Sequence, residues 1–191
     1  MAYCFYFVFT QPNAGQDEEF NRWYSKRHIY DLVAIPGIAA AQRYRLLDGK
    51  TGAETPDYLA IYEFSDVDLA IDGIAERRGT DRMPSTGAIN RDLSRGVVFK
   101  PLWDAQDNWR FGVGRLDLFK FATSPDRTAL TSAPGVLFAN ERQSRPGPPV
   151  FDLASFDRDG RSSANTSSVG ELIANLTLLM SPITDRVVSA T

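Results

Sequence analysis

The sequence contains one cysteine and one histidine among its 191 residues. A single cysteine excludes a disulfide within the chain, and Cys4 lies in an apolar, strand-like run that predicts a buried thiol. Cys4 and His28 cannot together form a metal site of histidine and cysteine ligands, and no Asp and Glu cluster at helical spacing completes a site around His28. We therefore expect no metal. The lack of disulfides fits the reducing cytoplasm, which is the location that we expect.

The chain also lacks a surplus of one charge and a long hydrophobic run. Its formal net charge is -3, with acidic and basic residues interspersed, which argues against a nucleic-acid partner. The apolar run over residues 3–9 is too short to span a membrane. It also lacks the basic residues that precede the hydrophobic region of a signal peptide. We therefore expect no membrane partner. The expected partners are small molecules or proteins.

Several catalytic motifs are absent. There is no G-x-S-x-G elbow, no P-loop and no G-x-G-x-x-G. The nearest candidate, Gly112-Val113-Gly114, lacks the third glycine and precedes a predicted strand instead of a helix. These patterns favour chemistry without a cofactor.

The first half of the chain has a clear order of predicted elements. An aromatic and β-branched strand is followed by a helix that ends before Pro36-Gly37, by two strands, by a second helix capped by Ser65 or Asp66, and by a last strand. A short helical piece is expected after Gly87. The predicted ranges are 3–10, 16–34, 38–46, 58–64, 67–77 and 97–103. The order β-α-β-β-α-β is the ferredoxin-like arrangement.

The second half repeats parts of the first. Ala133-Pro134-Gly135-Val136 corresponds to Ile35-Pro36-Gly37-Ile38, and residues 148–156 correspond to residues 56–64. We therefore predict two repeats, over residues 1–105 and 106–191. The second repeat would use residues 114–121 as its first strand, 169–180 as its second helix and 186–189 as its last strand. It lacks the first helix, so we place the active site in the first repeat.

The segment WYSKRHIYDLVAIPGIAAAQRY, followed by PDYLAIYEF, resembles the EthD-like branch of the dimeric α/β-barrel superfamily. The resemblance implies an α+β fold in which two ferredoxin-like sheets form one antiparallel barrel with helices outside and an apolar pocket between sheet and helices. Most members build the barrel from two chains. Here the tandem repeats could build it within one chain, because each sheet has a hydrophobic face to cover, and a homodimer remains compatible. The superfamily includes enzymes of many classes, and some relatives use haem, for which His28 would be the axial ligand.

The first helix carries the candidate catalytic residues. Helical spacing places Tyr24, His28 and Asp31 on one face. A histidine with a pKa near neutrality can take and return a proton, so we predict His28 as general acid or base, oriented by Asp31. Alternatively, His28 is a structural residue at the helix end and Asp31 an exposed carboxylate.

Other side chains are candidates for substrate binding. Tyr6 and Tyr24 could donate hydrogen bonds to a phenol or carbonyl oxygen, although aromatic residues at this spacing are also typical of a core. Arg43 could bind an anionic oxygen, or it could pair with Glu141 at the equivalent place in the second repeat. An aromatic pocket wall is predicted from Phe5, Phe7, Trp23, Tyr58 and Tyr62.

These residues favour a cofactor-independent lyase or isomerase acting on a small aromatic or polyketide-like substrate. His28 would remove a proton next to a carbonyl or from a phenol, and then assist the loss of water, carbon dioxide or a small aldehyde. Two alternatives stay open: a cofactor-free monooxygenase of the same superfamily, and a protein that binds a small hydrophobic molecule without catalysis.

Overall fold

The computed structural model describes residues 4–47, 56–102, 111–123, 136–143, 151–157 and 171–190. All pairings between the strands of these residues are antiparallel. The strands are β1 Cys4–Thr10, β2 Ile38–Leu47, β3 Tyr58–Phe64, β4 Arg95–Pro101, β5 Gly114–Phe121, β6 Val136–Gln143, β7 Leu153–Asp157, β8 Leu172–Pro182 and β9 Val187–Val188.

Eight of these strands form a ring. Their order is β3-β1-β4-β6-β7-β5-β8-β2, and β2 also pairs with β3. The short strand β9 pairs with β2 beyond the part of β2 that contacts β8. The predicted α+β fold with an antiparallel barrel is therefore confirmed, and the ring is completed within one chain.

The helices lie in the first half. The helix predicted over residues 16–34 consists of α1 Asp17–Trp23, a π-helical segment Tyr24–His28 and α2 Ile29–Val33. The second predicted helix is α3 Val67–Arg77, and the Asp66 carboxylate accepts a hydrogen bond from the Leu69 amide at 3.0 Å, as an N-cap does. The short helical piece expected after Gly87 is not formed. Among the described helices, none is long and apolar enough to cross a membrane.

The structure of the second half contradicts one prediction. A helix over residues 169–180 is wrong, because β8 occupies most of that range. Its side chains alternate, with Leu178 and Met180 buried and Leu179 exposed. The strand pairs with β5 on one edge and β2 on the other, so its backbone hydrogen bonds close the ring.

The two halves have the same order of strands. In each half the second, third, first and fourth strands are neighbours, as β2-β3-β1-β4 and β6-β7-β5-β8. The strand expected over residues 186–189 is β9, which lies outside this order. The repeated turn at residues 133–135 lies outside the described residues, and the boundary between repeats at residue 105 stays a prediction.

Two apolar layers result from the alternation of side chains along the strands. In β3, Tyr58, Ala60, Tyr62 and Phe64 face the helices, whereas Leu59 and Ile61 face the barrel interior. Cys4 is buried, as predicted, and lies on the helix side.

Phe5 and Phe7 alternate with Cys4 and therefore lie in the barrel interior, where each packs edge-on against Phe111. Their expected place in a pocket wall on the helix side is wrong. That side, between the first-half sheet and the helices, carries the candidate site.

Candidate functional site

A π turn interrupts the first helix at the residues that the sequence predicts as catalytic. The amide of Ile29 donates a hydrogen bond to the carbonyl of Tyr24, five residues earlier. Such a turn contains one residue more than an α-helical turn, and π turns of this kind occur frequently at functional sites. It brings Trp23 and His28, which are five residues apart, onto the same side of the helix.

The imidazole of His28 packs between two aromatic rings. It stacks on the indole of Trp23, with ring centroids 4.2 Å apart and planes 21° apart. Tyr24 meets it edge-on at 4.9 Å. The Trp23 indole is held in turn by a hydrogen bond of 3.2 Å from its Nε1 to the carbonyl of Pro84. His28 Nδ1 is buried and has no hydrogen-bond partner among the described residues.

His28 faces a cavity of about 170 Å³ between the first helix, the sheet and the segment that follows α3. An apolar protein cavity of about 150 Å³ binds one benzene molecule, so this cavity has the size for a single aromatic ring. The residues around it are mainly aromatic and aliphatic. The lining comprises Tyr6, Val8, Trp23, Tyr24, His28, Leu32, Tyr62, Ile74, Arg78, Gly79, Met83, Pro84, Ser85, Thr86, Ile89 and Arg91.

The protonation state of His28 differs from the expectation. Burial, together with the smaller effects of the cationic side chains of Arg43 and Arg78, lowers the pKa of His28 from 6.5 to about 3. The prediction of a pKa near neutrality is therefore wrong. At pH 7 the imidazole is neutral, with one nitrogen able to accept a proton.

Two tyrosine hydroxyls meet beside His28. The hydroxyl oxygens of Tyr24 and Tyr62 are 2.9 Å apart, and both side chains are buried. Burial raises the pKa of Tyr24 to about 12 and that of Tyr62 well above its ordinary value, so both hydroxyls keep their protons at neutral pH. One proton lies between the two oxygens. The other is left to donate to a third group, such as a ligand oxygen.

Tyr6 reaches the same cavity from β1, where it stands opposite Tyr62 in the β1–β3 register. Gly96 on β4 makes room for it, because a Cβ at Gly96 would overlap the Tyr6 hydroxyl. A glycine inside a strand often marks such a close approach. This signal is visible in the sequence, and our reading of the sequence missed it.

Arg43 lies behind the cavity and is not part of its lining. Its Nη1 donates to Ser25 Oγ at 2.5 Å and its Nη2 to Asn21 Oδ1 at 2.9 Å. The guanidinium carbon is 4.3 Å from the ring centre of Tyr24, and the whole side chain is buried. Arg43 thus supports the first helix from the sheet side and does not reach a ligand oxygen. The side chain of Glu141, its alternative predicted partner, lies outside the described part of the structure.

Two other residues that the sequence predicts for the site do not line the cavity. The Asp31 carboxylate pairs with Arg27, at 2.9 Å from Arg27 Nε, and makes no hydrogen bond to His28. The Tyr58 hydroxyl donates to Asp17 Oδ1 at 2.7 Å, and Tyr58 is absent from the cavity lining. Of the predicted site residues, the structure brings five together around the cavity: Tyr6, Trp23, Tyr24, His28 and Tyr62.

The sequence reading missed the cavity mouth. Arg78, the residue at which α3 ends, and the Met83-Pro84-Ser85 segment belong to the lining, and Arg78 is exposed there. The available signal is weak: a polar segment follows a helix, and such loops frequently carry binding residues. Within the residues that the structure describes, no three His, Cys, Asp or Glu side chains are placed to hold a metal ion.

Comparison with known proteins gives one informative result. No family model matches the chain, and no curated protein matches it either. A solved structure of an anthrone oxidase-like protein aligns with 100% of this chain and 94% of its own chain, with a TM-score of 0.63 and 13% identity.

The likeness shows the fold. At this identity it assigns neither a reaction nor a substrate to this chain.

Proposed function

We propose that this protein is a cofactor-independent enzyme that removes a proton from a small aromatic substrate, with His28 as the base. The observation that carries the proposal is a neutral imidazole on the wall of a ring-sized aromatic cavity, next to tyrosine hydroxyls that remain protonated. The resemblance of residues 23–44 to the EthD-like branch supports the same site. A homodimer and a cytoplasmic location stay predictions.

The residues around His28 suit proton abstraction next to a carbonyl or from a phenol. As the C–H or O–H bond breaks, its electron pair moves to the substrate oxygen, which becomes negative. The free proton of the Tyr24–Tyr62 pair, or the Tyr6 hydroxyl, would donate a hydrogen bond to that oxygen. The imidazolium formed would then lie beside an anion, and this attraction opposes the burial that lowers the pKa of His28.

The reaction after proton removal would be a lyase or isomerase step. Loss of water, carbon dioxide or a small aldehyde from the intermediate, or return of the proton at another atom, needs no further reactant. His28 would give its proton back to the leaving group or to the product, which restores the neutral imidazole.

Hydrogen exchange in heavy water tests this role. Purified protein is incubated in D₂O with a panel of one-ring ketones, phenols and phenolic acids, and deuterium incorporation and product formation are followed by NMR. His28→Gln should reduce the rate by about 10²–10⁴-fold, the usual contribution of a positioned base. Undiminished exchange by a folded His28→Gln variant would overturn the assignment. Binding without exchange or turnover across the panel would also contradict catalysis and would indicate a binding protein.

A cofactor-free monooxygenase is the second candidate, and the structural neighbour favours it because that protein is described as anthrone oxidase-like. Its first step would be the same proton removal by His28, after which the electron-rich substrate would react with oxygen. An oxygen electrode separates the candidates. Oxygen uptake in proportion to product would indicate the monooxygenase, and turnover under anaerobic conditions would indicate the lyase or isomerase.

A further inference from the structure

We propose that the cavity selects a one-ring aromatic carboxylate, with the ring inside the cavity and the carboxylate bound by Arg78 at its mouth. This inference rests on the proposed function, because it names the ligand class of the same site. It goes further in that it assigns a binding role to Arg78 and predicts a charge preference.

The charges around the cavity favour an anion. Arg78 and Arg91 belong to the lining, and no Asp or Glu does. His28 is neutral at pH 7, and Tyr24 and Tyr62 retain their protons because burial raises the pKa of each hydroxyl. A cationic ligand would therefore meet no carboxylate in the lining, whereas an anionic ligand would be attracted by Arg78.

Arg78 differs from the arginines next to it. Arg77 donates to the carbonyl of Ala34 at 3.1 Å, and Arg82 pairs with Glu76 at 2.5 Å. The side chain of Arg78 makes no hydrogen bond or ion pair with any described residue, and it is exposed at the mouth. It is nevertheless close enough to His28 for its charge to act on the imidazole. The protein thus holds an unpaired guanidinium beside the aromatic cavity.

The shape of the site matches the two parts of an aryl carboxylate. A single ring fits the volume of about 170 Å³ and can pack against the rings of Trp23, Tyr24 and His28. The planar guanidinium of an arginine binds a carboxylate with two parallel hydrogen bonds, which fixes the ligand's orientation. A neutral ring of the same size would fill the cavity and leave this cation unused.

Binding of benzoate and benzamide to the full chain tests the proposal. The two molecules have nearly the same shape and differ in charge. We expect benzoate to bind about three- to tenfold more tightly, as measured by calorimetry or NMR titration, because its carboxylate forms a hydrogen-bonded ion pair with an arginine that stays in contact with solvent. Benzamide binding as tightly as benzoate would overturn the proposal, and so would no binding of benzoate at all.

Two arginine variants separate a specific contact from net charge. Arg78→Gln should weaken benzoate binding and abolish the preference for benzoate over benzamide. Arg22→Gln removes the same charge from an exposed position on α1 outside the cavity lining, and should keep the preference. A preference that survives in a folded Arg78→Gln variant would contradict the role of Arg78.

The same experiment distinguishes this proposal from the proposed catalysis. His28→Gln should still prefer benzoate over benzamide, since the two ligands place the same ring beside residue 28 and differ only in the group that Arg78 would bind. If the preference holds but no substrate exchanges protons, the catalytic proposal fails and the charge selectivity stands. If neutral ketones exchange protons and benzoate has no advantage, the charge selectivity fails alone.

Discussion

The imidazole of His28 lies flat on the indole of Trp23, with 4.2 Å between the ring centroids. In a regular α-helix residues five apart do not lie over each other, and the π turn at Tyr24–His28 produces this contact. Stacking uses the face of the imidazole and leaves its edge, which carries both nitrogens, for other contacts. The helix irregularity therefore presents the candidate base to the cavity.

Acid sensitivity should depend on His28. Because the pKa of His28 is about 3 in the folded protein and 6.5 in its ordinary state, the unfolded chain binds a proton between these values that the folded chain does not. Above pH 6.5 the imidazole is neutral in both states and does not lower the free energy of unfolding. As the pH falls from 6.5 towards 3, the unfolded chain binds a proton first, and the free energy of unfolding decreases. By about pH 4.5 the loss from this residue should reach roughly 2–3 kcal/mol.

Urea unfolding at about pH 7 and about pH 4.5 measures this effect in wild-type protein and in His28→Gln. The carboxylates contribute equally to both proteins, so the difference between them isolates the histidine. The free energy of unfolding should decrease less in the variant. An equal decrease in the two proteins would contradict a low pKa for His28.

The hydroxyls of Tyr24 and Tyr62 should be energetically coupled. Each is buried and lies 2.9 Å from the other, so Tyr24→Phe or Tyr62→Phe leaves the remaining hydroxyl without this partner. Each single change should lower the free energy of unfolding by about 1–3 kcal/mol, and the double change should cost less than the sum. Denaturant unfolding of all four proteins measures the coupling. Tyr30→Phe, at an exposed tyrosine of α2, should change stability by less than about 0.5 kcal/mol. Additive costs would show that the two hydroxyls act independently.

The Pro36-Gly37 turn should tolerate no side chain at Gly37. The φ angle of Gly37 is 89°, which is unfavourable for residues other than glycine. A Cβ at this position would lie 2.6 Å from the Asp66 carbonyl oxygen and 2.9 Å from the Ala70 amide nitrogen. Gly15 has a similar φ of 77° but nothing within 4 Å of a Cβ. Both Gly→Ala changes therefore carry the backbone cost, and only Gly37→Ala adds the overlap. We expect Gly37→Ala to destabilise by about 1–3 kcal/mol more than Gly15→Ala in denaturant unfolding. Equal costs would mean that the turn can move away from α3.

Local patterns in the sequence were sufficient for much of the first half. The bounds of β3 and α3 follow from alternation in one case, and from an Asp66 cap with helical periodicity in the other. The segment around residues 172–182 was mistaken for a helix because its apolar residues fit either period. Its strand conformation depends on the edges of β5 and β2, which are more than 50 residues away in the chain.

For the site, the sequence by itself determined that Tyr24 and His28 share one side of the first helix, and that side chains alternate between the two faces of each strand. These assignments depend on periods of two and of about 3.6, which are local properties. Local periodicity could not exclude Arg43, Tyr58 or Asp31. Their actual partners are Ser25 and Asn21 for Arg43, Asp17 for Tyr58 and Arg27 for Asp31.

Only the tertiary structure decided the π turn, the place of Arg78 at the cavity mouth and the protonation of His28. The π turn is defined by a backbone hydrogen bond between residues five apart, and no residue type predicts it. The pKa of His28 is set by burial under distant segments and by the charges of Arg43 and Arg78, which reach it from β2 and from the end of α3. Desolvation and Coulomb interactions depend on distance in space, and the sequence specifies that distance only through the fold.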